Sequence, residues 1–289
     1  MSPQKKIFLS PPHMDGSEQV YIANAFKNNW IAPVGPNIGA FEELIEKFLN
    51  TEVNVTALNS GTAALHLALL LLGVSQGDEV LCQSLTFAAS ANPILYLGAV
   101  PIFIDSERDT WNMSPRLLEK AIKNRLALGK KPKAIVAVHL YGMPYKVDEI
   151  RTIADKYKIP VVEDSAEALG SEYKGVRCGS FGDVGIFSFN GNKIITTSAG
   201  GALTTKSAEL KKKAIYFATQ AREDTPHYQH SDVGYNYRMS NILAGIGRGQ
   251  MEVLENRIKA RRSNFEFYKD RLENNPNIEF LKEPKGFYS

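Results

Sequence analysis

The chain has 289 residues, 44% of them hydrophobic and 22% charged, with 34 Lys and Arg against 31 Asp and Glu for a formal charge of +3. That length allows a large buried core, the small, well-mixed charge argues against a polybasic nucleic-acid surface, and two widely separated cysteines, Cys82 and Cys178, exclude a disulfide scaffold. Residues 1–12 hold no apolar run of signal-peptide length, and the most hydrophobic window, residues 63–73, is too short to cross a bilayer and is interrupted by His66, so a cytoplasmic protein is expected.

Apolar β-branched runs alternate with helical patterns, the signature of an α/β fold with a mostly parallel central sheet and flanking helices. Residues 63–72 read as a buried helix opening just after Ser60-Gly61-Thr62. A strand follows at 79–83, then a helical stretch at 87–97 carrying Pro93, and a strand at 101–104. Ser114-Pro115 marks a helix start, with serine as the cap and proline at the first helical position, and that helix runs to about residue 124. The basic run at 130–133 reads as a solvated turn. Residues 134–138 form a buried strand, 147–157 a helix, and 160–163 a strand ending in Asp164. A strand at 185–189 leads into a Gly/Asn loop with Lys193, and a strand at 201–205 returns from it. Lysines 211–213 open a helix, and residues 221–232, with His227 and His230, read as a mobile loop. From 241 to about 273 the pattern is one long helix of the kind that bridges domains, and 278–281 looks like the first strand of a second domain. The expected division is a large domain over 1–248, with a bridging helix and the start of an incomplete small C-terminal domain over 249–289.

In open α/β sheets ligands sit beyond the carboxyl ends of the strands, and three features fall there. Ser60-Gly61-Thr62 could hold a phosphate on free amides at a helix N-terminus, or be a plain helix cap. Asp164 ends an apolar strand, where a carboxylate is costly to bury without a cation, although a strand-end Asp is often a loop carboxylate. Lys193 follows Ser188-Phe189-Asn190-Gly191-Asn192 between apolar strands. Desolvation there favours a neutral, nucleophilic amine, while the plainer reading is a surface-loop lysine. Together the three match the needs of pyridoxal 5′-phosphate (PLP): a phosphate cradle, an amine for its aldehyde, and an acid that keeps its ring nitrogen protonated. Phe87, at a strand-to-helix junction, could supply an aromatic face to the ring or be ordinary core. The five histidines show no metal spacing. His139, after a buried strand, is expected to be structural, with a place in the site as the alternative.

The whole chain resembles the sugar-aminotransferase family named after DegT, DnrJ, EryC and StrS, a branch of the aspartate-aminotransferase fold, PLP fold type I. The resemblance rests on Trp30-Ile31-Ala32-Pro33-Val34-Gly35-Pro36, Asn59-Ser60-Gly61-Thr62-Ala63-Ala64-Leu65, Glu163-Asp164-Ser165-Ala166-Glu167, residues 185–197, and Gly234-Tyr235-Asn236-Tyr237-Arg238-Met239-Ser240, in the family's order. The nearest likeness is to transaminases acting on UDP-linked 4-keto-6-deoxy sugars of the bacillosamine type. The resemblance implies that Lys193 holds PLP covalently and then shuttles a proton, and that Asp164 pairs with the ring nitrogen. It also implies that Glu167 lies near the ring hydroxyl, in place of a common Gln or His, and that Gly61, Thr62 and Ser188 hold the phosphate. Asn236 would reach the cofactor of a neighbouring subunit in a homodimer. Trp30 and Tyr237 are weaker candidates for the sugar-nucleotide pocket. The implied substrates are L-glutamate and a nucleotide-linked keto-sugar, for surface-glycan biosynthesis such as that of lipopolysaccharide. PLP-dependent sugar dehydration is one alternative, though such relatives usually replace the lysine by histidine. A non-catalytic regulatory relative is the other. Two departures stand out. Ser198-Ala199-Gly200-Gly201 replaces a glycine-rich run, with Ala199 a poor residue for positive φ, and family chains continue past residue 289, so a shortened and poorly transaminating form is expected.

Overall fold

A computed structural model describes residues 6–289; the first five residues of the segment read for a leader lie outside it. The chain opens with helices α1 (Ser17–Lys27) and α2 (Pro36–Leu49), followed by β1 (Asn54–Leu58) and α3 (Gly61–Leu71). Next come β2 (Glu79–Gln83), a 3₁₀ turn at Ala88–Ser90, α4 (Asn92–Tyr96), β3 (Val100–Ile104), α5 (Pro115–Ala127), β4 (Ala134–Val138), α6 (Val147–Tyr157) and β5 (Val161–Asp164). A hairpin of β6 (Glu172–Tyr173) and β7 (Val176–Arg177) precedes β8 (Val184–Ser188), β9 (Gly201–Thr205) and α7 (Ala208–Ala218). The remainder is α8 (Asn241–Glu252), α9 (Leu254–Leu272) and β10 (Phe287–Tyr288).

Seven strands form one sheet in the order β1-β9-β8-β5-β4-β2-β3. The pairings from β8 across to β3 are parallel, and β9 runs antiparallel to both β8 and β1. The mostly parallel sheet is thus as expected, with a single reversed strand, β9. Side chains alternate between its faces, as a period of two requires. Val80 and Cys82 of β2 join Val136, Val162 and Ile186 against α3 and α7, while Leu81, Ile135 and Val161 face Leu118 and Ile122 of α5 and Ile150 of α6. A third cluster packs Phe41 and Ile45 of α2 against Phe187 and Ala202, with Phe41 and Phe189 edge to face at 5.2 Å. Helix α3 is apolar all round because it is covered on every side, with Ala63–Leu69 all buried.

Several local expectations need correction. The stretch at 87–97 is two short pieces rather than one helix, because Pro93 has no amide to continue a ladder and instead sits in the first turn of α4. The long pattern from 241 is interrupted at Val253, φ −113°, ψ 4°, which separates α8 from α9. No ladder forms at 278–281. An extended segment becomes a strand only beside a free edge, and the edge of β6 is taken instead by Phe287–Tyr288, with Phe287 opposite Tyr173. Residues 221–232 form a loop, closed by a bridge between Arg222 and His230 and by the Glu223 amide donating to the Gln229 carbonyl at 2.9 Å. Among the described residues no helix is long and apolar enough to cross a membrane.

Candidate active site

The carboxyl edge of the sheet gathers the residues of interest through strand register alone. Leu58 of β1 lies opposite Gly201 of β9, and Gly201 opposite Ser188 of β8. Two residues back along β8, Ile186 pairs with Asp164, which pairs in turn with Val138. The starts of α3 and β9 and the ends of β4, β5 and β8 therefore share one rim.

At the first corner, Ser60 caps α3: its hydroxyl accepts from the Ala63 amide at 3.0 Å, and its carbonyl accepts from Ala64. This leaves the first two helical amides, of Gly61 and Thr62, for an incoming anion. A side chain at Gly61 would meet Ser188 Cβ at 2.8 Å, so only glycine lets the Ser188 hydroxyl approach the helix end. Gly201 closes the same corner, since a Cβ there would collide with the Ser60 carbonyl carbon and the Gly61 nitrogen. Gly201→Ala must push backbone against backbone. We expect about 1–3 kcal/mol of destabilisation, together with weakened phosphate binding, measurable by denaturant unfolding and by cofactor titration. Unchanged stability would contradict the tight approach.

At the second corner, Asp164 is 4% exposed. Its Oδ2 accepts from the Ser90 hydroxyl at 2.7 Å and its Oδ1 from the Ala166 amide at 3.2 Å. Burial pushes its carboxyl above the usual range, opposed by Ser90, the Ala166 amide and the charges of Lys193 and His139. Among the described residues no cation pairs with it directly. Lys193 Nζ instead donates to Glu167 Oε1 at 3.3 Å, while Glu167 Oε2 accepts from the Tyr141 amide at 2.9 Å. The amine is therefore paired with a carboxylate, in a site where its side chain is 15% exposed. The loop that carries it is pinned at both ends: Phe189 and Gly200 share a backbone bond, Thr197 returns its amide to Phe189, and the Thr196 amide donates to the buried Gln250 side chain at 3.2 Å. Its left-handed residue is Ser198, φ 73°, not Ala199, so the alanine strains nothing. Gly200 is required for another reason, because a Cβ there would strike Thr197 and Met239.

Phe87 is 76% exposed at the start of the 3₁₀ turn that carries Ser90, which removes the core reading. Asn236 is exposed: its carbonyl accepts from Asn59 at 3.0 Å and its Oδ1 from Gln220 at 3.1 Å, which sets it next to the residue preceding the Ser60 cap. Tyr237 is half-buried at the same rim. It stacks on Tyr235 at 4.9 Å and its hydroxyl lies 3.1 Å from His66 Nδ1. The Trp30 carbonyl accepts from Asn241.

Glu163, to which the sequence assigned no role of its own, lies directly behind this site. Glu163 is fully buried and accepts from His139 Nε2 at 2.7 Å, from the Ser165 hydroxyl at 3.2 Å, and from the amides of Gly179, Phe181 and Gly182 at 2.6–2.9 Å. Burial alone would raise its carboxyl, but His139 and the Gly179 and Gly182 amides together hold it below the usual carboxylate range. His139 stacks on Tyr145 at 4.5 Å, in keeping with its expected structural role. Ligand atoms of His139, Glu163 and Cys178 lie within 4.8 Å of one another. The ring has no lone pair left for an ion, however: Nε2 donates to Glu163 and Nδ1 accepts from the Tyr145 amide. Cys82 is equally inert, its thiol pushed up to about 12 by burial and by the charge of Asp164.

A phosphate corner, a buried carboxylate short of a cation and an amine on the same rim suit a phosphorylated pyridine aldehyde. The sequence profile of the DegT/DnrJ/EryC1/StrS aminotransferase family matches residues 12–287. The chain belongs to this family. It is 55% identical over 279 residues to EpsN of Bacillus subtilis, assigned as a pyridoxal phosphate-dependent aminotransferase, covering 96% of this chain and 72% of that protein. It is 40% identical over 284 residues to the GDP-perosamine synthase of Escherichia coli O157:H7, covering 98% and 76% respectively. Among solved structures, the Streptococcus pneumoniae protein Spr1654, described as a sugar aminotransferase, superposes in its PMP form with a TM-score of 0.90 at 29% identity, over 98% of this chain and 74% of that one. The same protein is known in a PLP form. The fold is PLP fold type I, the chain is an aminotransferase, and PLP is its cofactor.

Proposed function

We propose that this chain moves an amino group from L-glutamate onto the keto carbon of a nucleotide-linked 4-keto-6-deoxy sugar, for surface-glycan biosynthesis. The supporting observation is the pairing of unmet needs at one rim: among the described residues, a buried Asp164 has no cation and two helix amides have no acceptor. Relatives named as GDP-perosamine synthases and as a UDP-linked altrosamine transaminase fit the same substrate class. When bound, PLP supplies an aldehyde that condenses with amines and a cationic ring that draws electrons from the substrate carbon.

The chain's own residues have distinct tasks. Gly61, Thr62 and Ser188 would hold the phosphate, the helix end adding its partial positive charge. Asp164 would take the charged ring nitrogen, and Phe87 would cover one ring face. Lys193 would leave its pairing with Glu167 to form the covalent link and, once released, would carry a proton at its amine between donor and acceptor carbons. Glu167, freed at Oε1, would face the ring hydroxyl. Asn236 would reach the site of a neighbouring subunit, so the working unit is a homodimer. Residues 1–248 would form the cofactor-binding domain and 249–289 the bridging segment. The free, buried Cys82 and Cys178 suit a reducing, cytoplasmic setting.

The test is mass spectrometry of the sugar after incubation with PLP, L-glutamate and candidate keto-sugar nucleotides, alongside borohydride trapping of the cofactor and peptide mapping. An amino sugar as product and a label on Lys193 are expected. A deoxygenated sugar without nitrogen would indicate dehydration instead, and a label elsewhere would end the assignment of Lys193.

A further inference from the structure

The turn between β2 and α4 carries two hydroxyls flanking Phe87. Ser90 is 2% exposed, and its Oγ lies 2.7 Å from Asp164 Oδ2. Thr86 Oγ1 lies 2.7 Å from Ser90 Oγ. A hydroxyl has one proton to give, and an ionised carboxylate can only accept. The Ser90 proton must therefore point to Asp164, and Thr86 must donate to the Ser90 oxygen. Proton counting gives the chain one direction, from Thr86 through Ser90 to Asp164.

We propose that Ser90 and Thr86 are positioning residues that keep Asp164 ionised and aimed at the ring nitrogen of PLP; this rests on the reading of Asp164 as that nitrogen's partner. Burial works against the anion here, and hydrogen bonds to the charged form are what oppose it. A donor that is itself an acceptor is polarised and donates more strongly, so Thr86 adds to the effect without touching Asp164. The geometry of the turn is fixed independently. Gln83, fully buried, donates to the Leu85 carbonyl at 2.8 Å and accepts from the Met113 amide at 2.8 Å, and the Ser84 amide donates to the Ile104 carbonyl. At the far end the Ser90 amide donates to the Phe87 carbonyl at 3.0 Å. One rigid turn thus holds both the hydroxyl relay and the aromatic ring between its two members. That would couple the electrostatics at the ring nitrogen to the placement of Phe87.

The experiment compares binding of two probes to the cofactor-free protein: PLP, and its 1-deaza analogue, in which carbon replaces the ring nitrogen. Ser90→Ala should weaken PLP about 10- to 100-fold, the scale of a hydrogen bond to a charged group, and leave the analogue within about twofold of the parent. Thr86→Val should weaken PLP by a smaller factor in the same selective way. Ser90→Thr, which keeps the hydroxyl, should restore the preference for PLP. Equal weakening of both probes, or of neither, would overturn the relay, and Thr86→Val carries the test if Ser90→Ala fails to fold. Asp164→Asn separates the two claims. If it leaves the preference for PLP over the analogue intact, the Asp164 assignment falls. If it abolishes that preference while Ser90→Ala does not, the relay alone is wrong.

Discussion

Replacing Lys193 by alanine is expected to lower turnover by roughly 10⁴-fold or more, the order attached to losing a positioned proton carrier that also makes the covalent link. Stability should change by less than about 1 kcal/mol, because the lysine sits on a pinned loop and its ion pair with Glu167 is long, at 3.3 Å, and partly open to solvent. Lys193→Arg is the sharper control. It keeps the positive charge opposite Glu167 but offers no amine that condenses with an aldehyde, so it should be equally inactive while unfolding like the parent. Single-turnover amination and denaturant unfolding of the three proteins check both halves. Normal rates in either variant would remove Lys193 from the chemistry, and a collapse in stability would mean that the Glu167 contact is structural first.

The largest stability effect is expected at Glu163. Its carboxylate takes five donors from His139, Ser165 and the 179–182 turn, so Glu163→Ala leaves several buried donors unmet and should cost about 3–5 kcal/mol. Glu163→Gln should cost less, since it preserves volume but turns an amide donor toward donors. The dependence on acidity has a definite sign. A carboxyl held below its ordinary value of 4.5 contributes stability that is fully present above that value and is lost as pH falls through the lowered one. The parent should therefore lose stability on acidification below about pH 4.5 more steeply than Glu163→Gln, in urea unfolding followed across pH. Parallel curves would show that Glu163 is not the group responsible. Because Glu163 directly precedes Asp164, cofactor affinity should fall along with stability.

What the sequence disclosed and what it concealed divide along the range of the contacts involved. The Ser60 cap, the Ser114-Pro115 start and the strand ending in Asp164 are read from adjacent residues, and all three stand. The reversed direction of β9 could also be anticipated, because a strand that returns straight from a loop must run against its neighbour. Glu163 looked like one more strand residue, since the turn that supplies its donors lies well downstream. The hydroxyl of Ser90 gave no local sign of meeting Asp164, which is 74 residues away. The strand expected at 278–281 failed for a related reason, as apolar content cannot say which edge is free. Ala199 was blamed for a strain that does not arise, because the left-handed turn falls one residue earlier, at Ser198. Thr86 and Ser90 did leave a faint mark in the sequence, two hydroxyls spaced four apart around an aromatic residue, on a turn that the sheet's topology brings to the rim.

The insertion of β9 between β1 and β8 has a consequence for the order of assembly. Among the described residues strand β1 meets the sheet through β9, and about half the chain separates Leu58 from its partner Gly201. Joining such distant partners is slow and comes late. On a ribosome, β2 through β5 and their helices can collapse while β1 and the opening of α3 still wait for their neighbour to emerge. The corner where Gly201 packs against Ser60 and Gly61 therefore closes only when β9 has paired with both its neighbours.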